Sequence, residues 1–197
     1  KNRDLTIILP GAGLDTGAFR IRGGRSWEFD DAALFARKEA RLPAHTAPNP
    51  LTRTAIDFSR DELRDSLAPL AGEEESLVVL EGVSMYLPTS VLAKTAATVR
   101  ASLPRAAVVC DLMSPAFRER FSKDLYRELG RLGAHFALNP SHPRLAFEEA
   151  GYRAQETISI VGRAREAGTL RIPRWLLNSL LRELRDGYAV WTFVPAG

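Results

Sequence analysis

The residues best suited to chemistry sit in the stretch Pro10-Gly11-Ala12-Gly13-Leu14-Asp15-Thr16-Gly17, directly after an apolar run at Leu5–Leu9. Glycines just past a buried strand let the backbone come close to a ligand that larger side chains would hold off. An acid, Asp30, follows a second β-rich run at the distance from which a ribose hydroxyl is bound. Glycine loop and acid together mark a nucleoside cofactor at the carboxyl edge of a parallel sheet. They do not by themselves choose between NAD and S-adenosylmethionine. The spacing Gly11-x-Gly13-x-x-x-Gly17 misses the dinucleotide pattern by one residue, with Thr16 in its last position. Asp15 also places a negative charge where a pyrophosphate wants a free helix N-terminus, a charge that tolerates a cationic sulfonium.

Such a site needs strands to carry it. Short β-rich runs recur at Leu5–Leu9, Trp27–Asp30, Thr54–Phe58, Leu77–Leu80 and Ala107–Leu112. Their near-continuous apolar content fits parallel strands covered on both faces. Helical stretches alternate with them at Ala32–Leu42, Asp61–Leu70, from Pro88 through Leu103, and Pro115–Leu132. This alternation predicts an α/β fold with right-handed crossovers and helices on both faces of the sheet. Further on, a helix over His142–Ala150, a strand near Gln155–Val161, a helix over Arg174–Arg185 capped at Gly187 and a strand at Tyr188–Val194 are expected. Asp30, Asp57 and Glu81 each end a predicted strand, so all three fall at one edge of the sheet. A carboxylate at Glu81, directly after Val78-Val79-Leu80, is costly to bury unless something pairs with it. The acidic run Glu73–Glu75 reads as a solvated turn.

Composition narrows the class. The chain has 197 residues, 45% hydrophobic and 26% charged, enough for one sizeable core without metal or crosslinks. One domain over residues 1–197 is expected. Against 27 basic residues stand 24 acidic ones, a net charge of +3. With no polybasic run and no aromatic-interleaved patch, a nucleic-acid partner is not expected. Neither is a membrane segment or a secretory leader. A single cysteine, Cys110, cannot close an internal disulfide, and a reducing, cytoplasmic compartment is the expectation. No spacing of Cys and His suits zinc, so no metal is expected.

The sequence resembles the leucine carboxyl methyltransferase-like family of S-adenosylmethionine-dependent O-methyltransferases, which includes bacterial enzymes associated with polyketide biosynthesis. Gly11-Ala12-Gly13-Leu14-Asp15-Thr16 with Phe19-Arg20 looks like its first motif. The likeness continues through Trp27-Glu28-Phe29-Asp30 with Lys38, through Ala55-Ile56-Asp57-Phe58, through Glu81-Gly82-Val83-Ser84-Met85-Tyr86-Leu87, and through Asp111-Leu112-Met113-Ser114-Pro115. It implies a Rossmann-like class I methyltransferase fold: a seven-stranded, mostly parallel sheet whose last strand is antiparallel. It implies S-adenosyl-L-methionine as cofactor, held by the loop of Gly11, Ala12, Gly13 and Asp15. Gly11 and Gly13 would flank the methionine portion, Asp30 would bind the ribose hydroxyls, Asp57 and Phe58 the adenine, and Glu81 the amino acid end. Pro10, Gly17 and Asp31 depart from the family pattern, and the family's N-terminal helical segment, with its basic partner for the cofactor carboxylate, is not seen before Leu5.

A sulfonium methyl is already activated, so the protein's task is to place a nucleophile in line and exclude water. A carboxylate acceptor needs no base, whereas a hydroxyl calls for one, and no His/Asp pair stands out. Tyr86, past the fourth strand, is the candidate substrate contact. His142 could face the pocket, although a lone loop histidine more often packs. Cys110 falls inside a buried strand and is expected to be inert. Leu177, Leu181 and Leu184 form a core-facing stripe, and Trp175 and Leu176 beside it could mark a homodimer contact or the seat of the family's N-terminal segment. The expected function is therefore O-methylation of a small-molecule carboxylate or hydroxyl, such as a secondary metabolite. The alternatives are a catalytically silent cofactor-binding or interaction module and, less favoured, an NAD-dependent oxidoreductase.

Overall fold

The computed structural model describes residues 5–58, 61–72, 75–121, 127–128, 130–131, 137 and 141–197. Seven strands form one sheet in the order β3-β2-β1-β4-β5-β7-β6. They are β1 (Thr6–Pro10), β2 (Arg25–Asp30), β3 (Leu51–Ala55), β4 (Ser76–Leu80), β5 (Ala107–Met113), β6 (Tyr152–Ser159) and β7 (Tyr188–Pro195). The first five pair in parallel, and β7 inserts antiparallel between β5 and β6. The Rossmann-like sheet with its antiparallel last strand is therefore present as expected.

Side-chain alternation splits the strands between two faces. On one, Ile8, Val78, Leu80, Val108, Cys110 and Phe193 are at most 2% exposed and pack on Leu67, Leu92, Ala96, Val99, Ala146 and Phe147. Those partners come from α3 (Leu63–Leu67), α4 (Thr89–Ser102) and α6 (Arg144–Glu149). Phe193 stacks on Phe147 at 4.6 Å between ring centres. On the other face, Ile7, Leu9 and Ala12 pack with Phe35 of α2 (Ala32–Arg41). Val79, Val109 and Val190, further along that face, stay only half-buried.

The expected Asp31 departure has a local cause. Asp31 accepts from the amides of Ala33 and Leu34 at 2.8 and 3.1 Å and so caps α2. Beneath it, Glu28 of β2 is wholly buried, 2.8 Å from Lys38 Nζ on α2 and 2.9 Å from Arg53 Nε on the neighbouring strand. Arg53 also reaches the Leu42 carbonyl at 2.9 Å and the Glu39 carboxylate. Two strands and a helix are thus fastened by one buried charge cluster.

Some elements differ from expectation. β3 ends at Ala55, so Asp57 and Phe58 lie in the turn after the strand and not in it. The strand expected to Val161 stops at Ser159, whose hydroxyl accepts from the Gly162 amide and starts α7 (Ile160–Glu166). The single helix expected over Arg174–Arg185 is two, α8 (Arg174–Asn178) and α9 (Arg182–Asp186). Ser179 Oγ donates back to the Trp175 carbonyl at 2.7 Å where the chain breaks. The helix begun at Pro115 is described as α5 (Pro115–Phe121), and the Glu73–Glu75 turn falls largely outside the described residues.

Candidate cofactor and acceptor site

β1 pairs with β2 through Pro10 but with β4 only as far as Ile8. The Gly11 amide donates to Phe29 of β2, so alternation turns position 10 toward β4, and proline has no proton to give there. The two strands part at this point, where the strand order reverses, and the crevice that ligands favour in open α/β sheets opens.

Gly11 and Gly13 follow with φ of +73° and +51°, a conformation that side-chain-bearing residues rarely adopt. A Cβ on Gly11 would lie 2.7 Å from Val83 Cγ2, so glycine is also required by space. Asp30, at the end of β2, accepts from the Gly13 amide through Oδ2 and from the Asp31 amide through Oδ1, each at 2.7 Å. Each carboxylate oxygen keeps a second lone pair for a ligand hydroxyl. Asp15 accepts from the Gly17 amide at 2.6 Å, with Arg20 3.8 Å away, so this acid closes the turn into α1 (Gly17–Arg20). A Cβ at Gly17 would press on Asp15 Oδ1 at 2.8 Å, which accounts for the glycine there.

Three adjoining cavities open at this edge. The first, about 240 Å³, is lined by Gly11, Asp30, Phe58, Asp61, Val83 and Lys94 among others. The second, about 360 Å³, runs along Gly11–Asp15 to Val79, Glu81 and Gly82. The third, about 340 Å³, shares Val79, Glu81 and Gly82 with the second and continues to Val109, Asp111, Tyr188 and Val190. Gly11, Ala12, Gly13, Asp15 and Glu81 are thus brought together, as are Gly11, Asp30 and Phe58. Asp57 and Tyr86 line none of the three. The Asp57 amide donates to Asp61 Oδ2 while the Asp61 amide donates to the Asp57 carbonyl, both at 2.8 Å, and it is Asp61 that fronts the cavity. Tyr86 belongs to the short 3-10 turn Ser84–Tyr86 and is 38% exposed. His142 packs edge-on against Trp191, accepts from the Arg144 amide, and is held below its usual pKa, first by burial and then by Arg144. It lines none of the three cavities either.

The sequence reading missed the pair behind Glu81. Asp111, on β5, is 6% exposed; its Oδ1 accepts from the Gly82 amide at 2.8 Å and its Oδ2 from the Tyr188 phenol at 2.6 Å. Ser84 Oγ donates to the Asp111 carbonyl at 2.5 Å. Burial, the bond to Asp111, and the charges of Asp111 and Glu81 push the Tyr188 phenol well above its usual range. Gly187 lets this strand start come so near, since a Cβ there would meet Glu183 O at 2.4 Å and Phe117 Cβ at 2.5 Å. The expected C-cap is present, though with φ of −76° its cause is packing and not a left-handed turn.

Charge in the second and third cavities has one sign. Asp15, Glu81 and Asp111 are their ionisable acids, and no lysine, arginine or histidine is among the residues lining them. Such a lining suits a cation and opposes a diphosphate. Among the described residues no cluster of three His, Cys, Asp or Glu could hold a metal ion, and no helix is long and apolar enough to cross a membrane.

Residues 4–100, which carry this glycine loop and its acids, match the family model of the leucine carboxyl methyltransferases. Over those residues the chain is similar to the leucine carboxyl methyltransferases. No curated protein sequence matches the chain. Several solved structures share the methyltransferase fold. LepI in complex with SAM aligns over 98% of this chain and 43% of its own length, at 13% identity and a TM-score of 0.58. Magnesium protoporphyrin IX methyltransferase from Synechocystis PCC 6803 with bound SAH aligns over 98% and 74%, at 11% and 0.59. Geranyl diphosphate C-methyltransferase from Streptomyces coelicolor A3(2), with Mg2+, geranyl diphosphate and S-adenosyl-L-homocysteine, aligns over 98% and 74%, at 12% and 0.62. The chain spans about half the length of the first structures it matches, 43% and 51%.

Proposed function

We propose that this chain binds S-adenosyl-L-methionine and transfers its methyl group to an oxygen of a small molecule, a carboxylate or a hydroxyl of the secondary-metabolite kind. The observation that carries the reading is the glycine loop fastened to Asp30 beside cavities whose ionisable lining is acidic. The family match over residues 4–100 and the SAM or SAH in similar folds support it.

The donor set fits this cofactor. Gly11 and Gly13, both at positive φ, shape the loop, and would lie along the methionine portion with Ala12 and Asp15. Asp30 has lone pairs left for both ribose hydroxyls. Phe58, 49% exposed in the first cavity, offers a ring face to the adenine. Asp57, braced by Asp61, sets the turn that presents it. Glu81 would receive the α-ammonium group. The bound cofactor supplies an activated methyl, so the protein need form no covalent intermediate. What its own residues do is orient: Asp30 holds the loop, Asp111 holds Gly82 and the turn bearing Glu81, and the apolar walls displace water from the acceptor. A reducing, cytoplasmic setting suits the lone cysteine, Cys110, buried in β5 and with its thiol pushed up by burial and by Asp111.

Calorimetry with S-adenosylmethionine, S-adenosylhomocysteine and NAD tests the reading. Binding of both sulfur ligands without NAD is expected, followed by a mass gain of one methyl on acceptors offered with the cofactor. Binding of NAD alone would reverse the assignment, and sulfur-ligand binding with no methylation of any acceptor would leave a silent binder.

A further inference from the structure

We infer that the third cavity, between Val79, Val109, Val190 and Tyr188, receives the methyl acceptor, and that this acceptor is a neutral hydroxyl compound whose proton Tyr188 relays to Asp111. The inference rests on the proposed methyl transfer and narrows its acceptor class. The cavity shares Val79, Glu81 and Gly82 with the glycine-loop cavity, so a molecule seated there lies next to the methionine end. At about 340 Å³ it has the size of a small-molecule site. Val79, Val109, Val190 and Ile160 give it an apolar wall, which favours an apolar body.

Charge decides the acceptor's polar group. With Glu81 taken up by the cofactor's α-ammonium group, Asp111 still lines the cavity with no cationic side chain beside it, so a carboxylate would meet that like charge and find no protein counter-ion. A hydroxyl meets neither obstacle. It also finds a base. The Tyr188 proton is committed to Asp111 Oδ2 at 2.6 Å, which leaves the phenol oxygen free to accept from an incoming O–H. Glu81 and Tyr86 also bear on Tyr188 electrostatically, and the ring of Phe117 on α5 packs 5.9 Å from its own. Burial, Asp111, Glu81 and Tyr86 all disfavour a stored phenolate, so Tyr188 passes a proton on and does not hold a charge.

The step balances. The acceptor's O–H proton moves to the Tyr188 oxygen as the Tyr188 proton moves to Asp111, giving a carboxylic acid there. The acceptor oxygen's electron pair forms the new O–C bond, and the pair of the broken S–C bond stays on sulfur, which becomes a neutral thioether.

The test uses the full chain loaded with S-adenosylhomocysteine and two probes of one shape, 2-naphthol and 2-naphthoate, in calorimetry at neutral pH. Naphthol should bind at least about ten-fold more tightly. Val109→Trp should remove naphthol binding while leaving S-adenosylhomocysteine affinity within about three-fold. With any hydroxyl compound that is turned over, Tyr188→Phe should lower kcat by about a hundred-fold at little change in the KM for S-adenosylmethionine. Equal or tighter binding of naphthoate, no naphthol binding to the loaded protein, unaltered naphthol binding by Val109→Trp, or undiminished kcat in Tyr188→Phe would each overturn the inference. Failure to bind S-adenosylhomocysteine at all is a different result, and it would overturn the underlying methyl-transfer reading instead.

Discussion

Asp30 Oδ2 accepts the Gly13 amide proton at 2.7 Å across seventeen residues of sequence, which makes the acid ending β2 and the loop leaving β1 one mechanical unit. On the proposed binding mode, removing the carboxylate does two things: it takes away a ligand for the ribose and frees the loop beside the methionine end. Asp30→Ala should weaken S-adenosylmethionine by about 10- to 100-fold, the worth of one or two bonds to a charged group. Asp30→Asn, which keeps an acceptor for Gly13, should lose less. Calorimetry checks both, and equal losses in the two variants would mean that the loop does not depend on this bond.

Gly11 is held by two independent requirements, its positive φ and the Val83 methyl that a Cβ would strike. Gly11→Ala should cost at least about 1 kcal/mol of stability and most of the cofactor affinity. Adding Val83→Ala relieves the steric part and not the backbone part. Thermal melts of single and double variants should show partial recovery. Full recovery would show that the left-handed backbone carries no strain, and no recovery that the contact is unimportant.

The Glu28 cluster makes an asymmetric prediction. Glu28→Ala leaves Lys38 and Arg53 buried together without their common anion, and should destabilise by about 3–5 kcal/mol. Lys38→Met keeps the Arg53–Glu28 pair and the stem packing, and should cost less. Urea denaturation of both variants tests the order, and a milder Glu28→Ala would contradict the charge accounting.

Alkaline stability follows from two phenols. Burial pushes Tyr152 up to about 12 although Arg100 pulls it down, and Tyr188 lies well above the usual range through burial and Asp111. An unfolded tyrosine ionises near 10. Above that value the unfolded chain has lost protons that the folded chain still binds, so stability is whole below about pH 10 and falls as pH rises beyond it. Tyr152→Phe should show a shallower loss between about pH 9.5 and about 11.5 in urea titrations at stepped pH. Parallel curves for the two proteins would remove Tyr152 from the account.

What could be read from the sequence follows from range. Strands β1, β4 and β5 announce themselves as local apolar runs; the glycine loop follows β1 and Asp30 ends β2, where position alone implies a ligand edge. Helices are less legible where one residue has two uses. Ser159 looks like the interior of a β-branched run but caps α7. Ser179 lies within an apolar stripe, and its hydroxyl turns back on the Trp175 carbonyl. β3 is hard to place from local sequence because its residues, Leu51–Ala55, form a partly exposed edge with weak apolar content. The Asp111–Tyr188 bond joins residues 77 apart, and no local pattern encodes it. Nor does any local signal show that Asp61, four residues past Asp57, fronts the first cavity in place of Asp57.

The alternation along the central strands separates two kinds of freedom to vary. Val78, Leu80, Val108 and Cys110 are sealed at 0–2% exposure, while Val79, Val109 and Val190 look into the cavities from the opposite side of the same sheet. Resculpting the second set leaves the first untouched, so a lineage, or an engineer, can reshape these cavities one strand position at a time without renegotiating the fold.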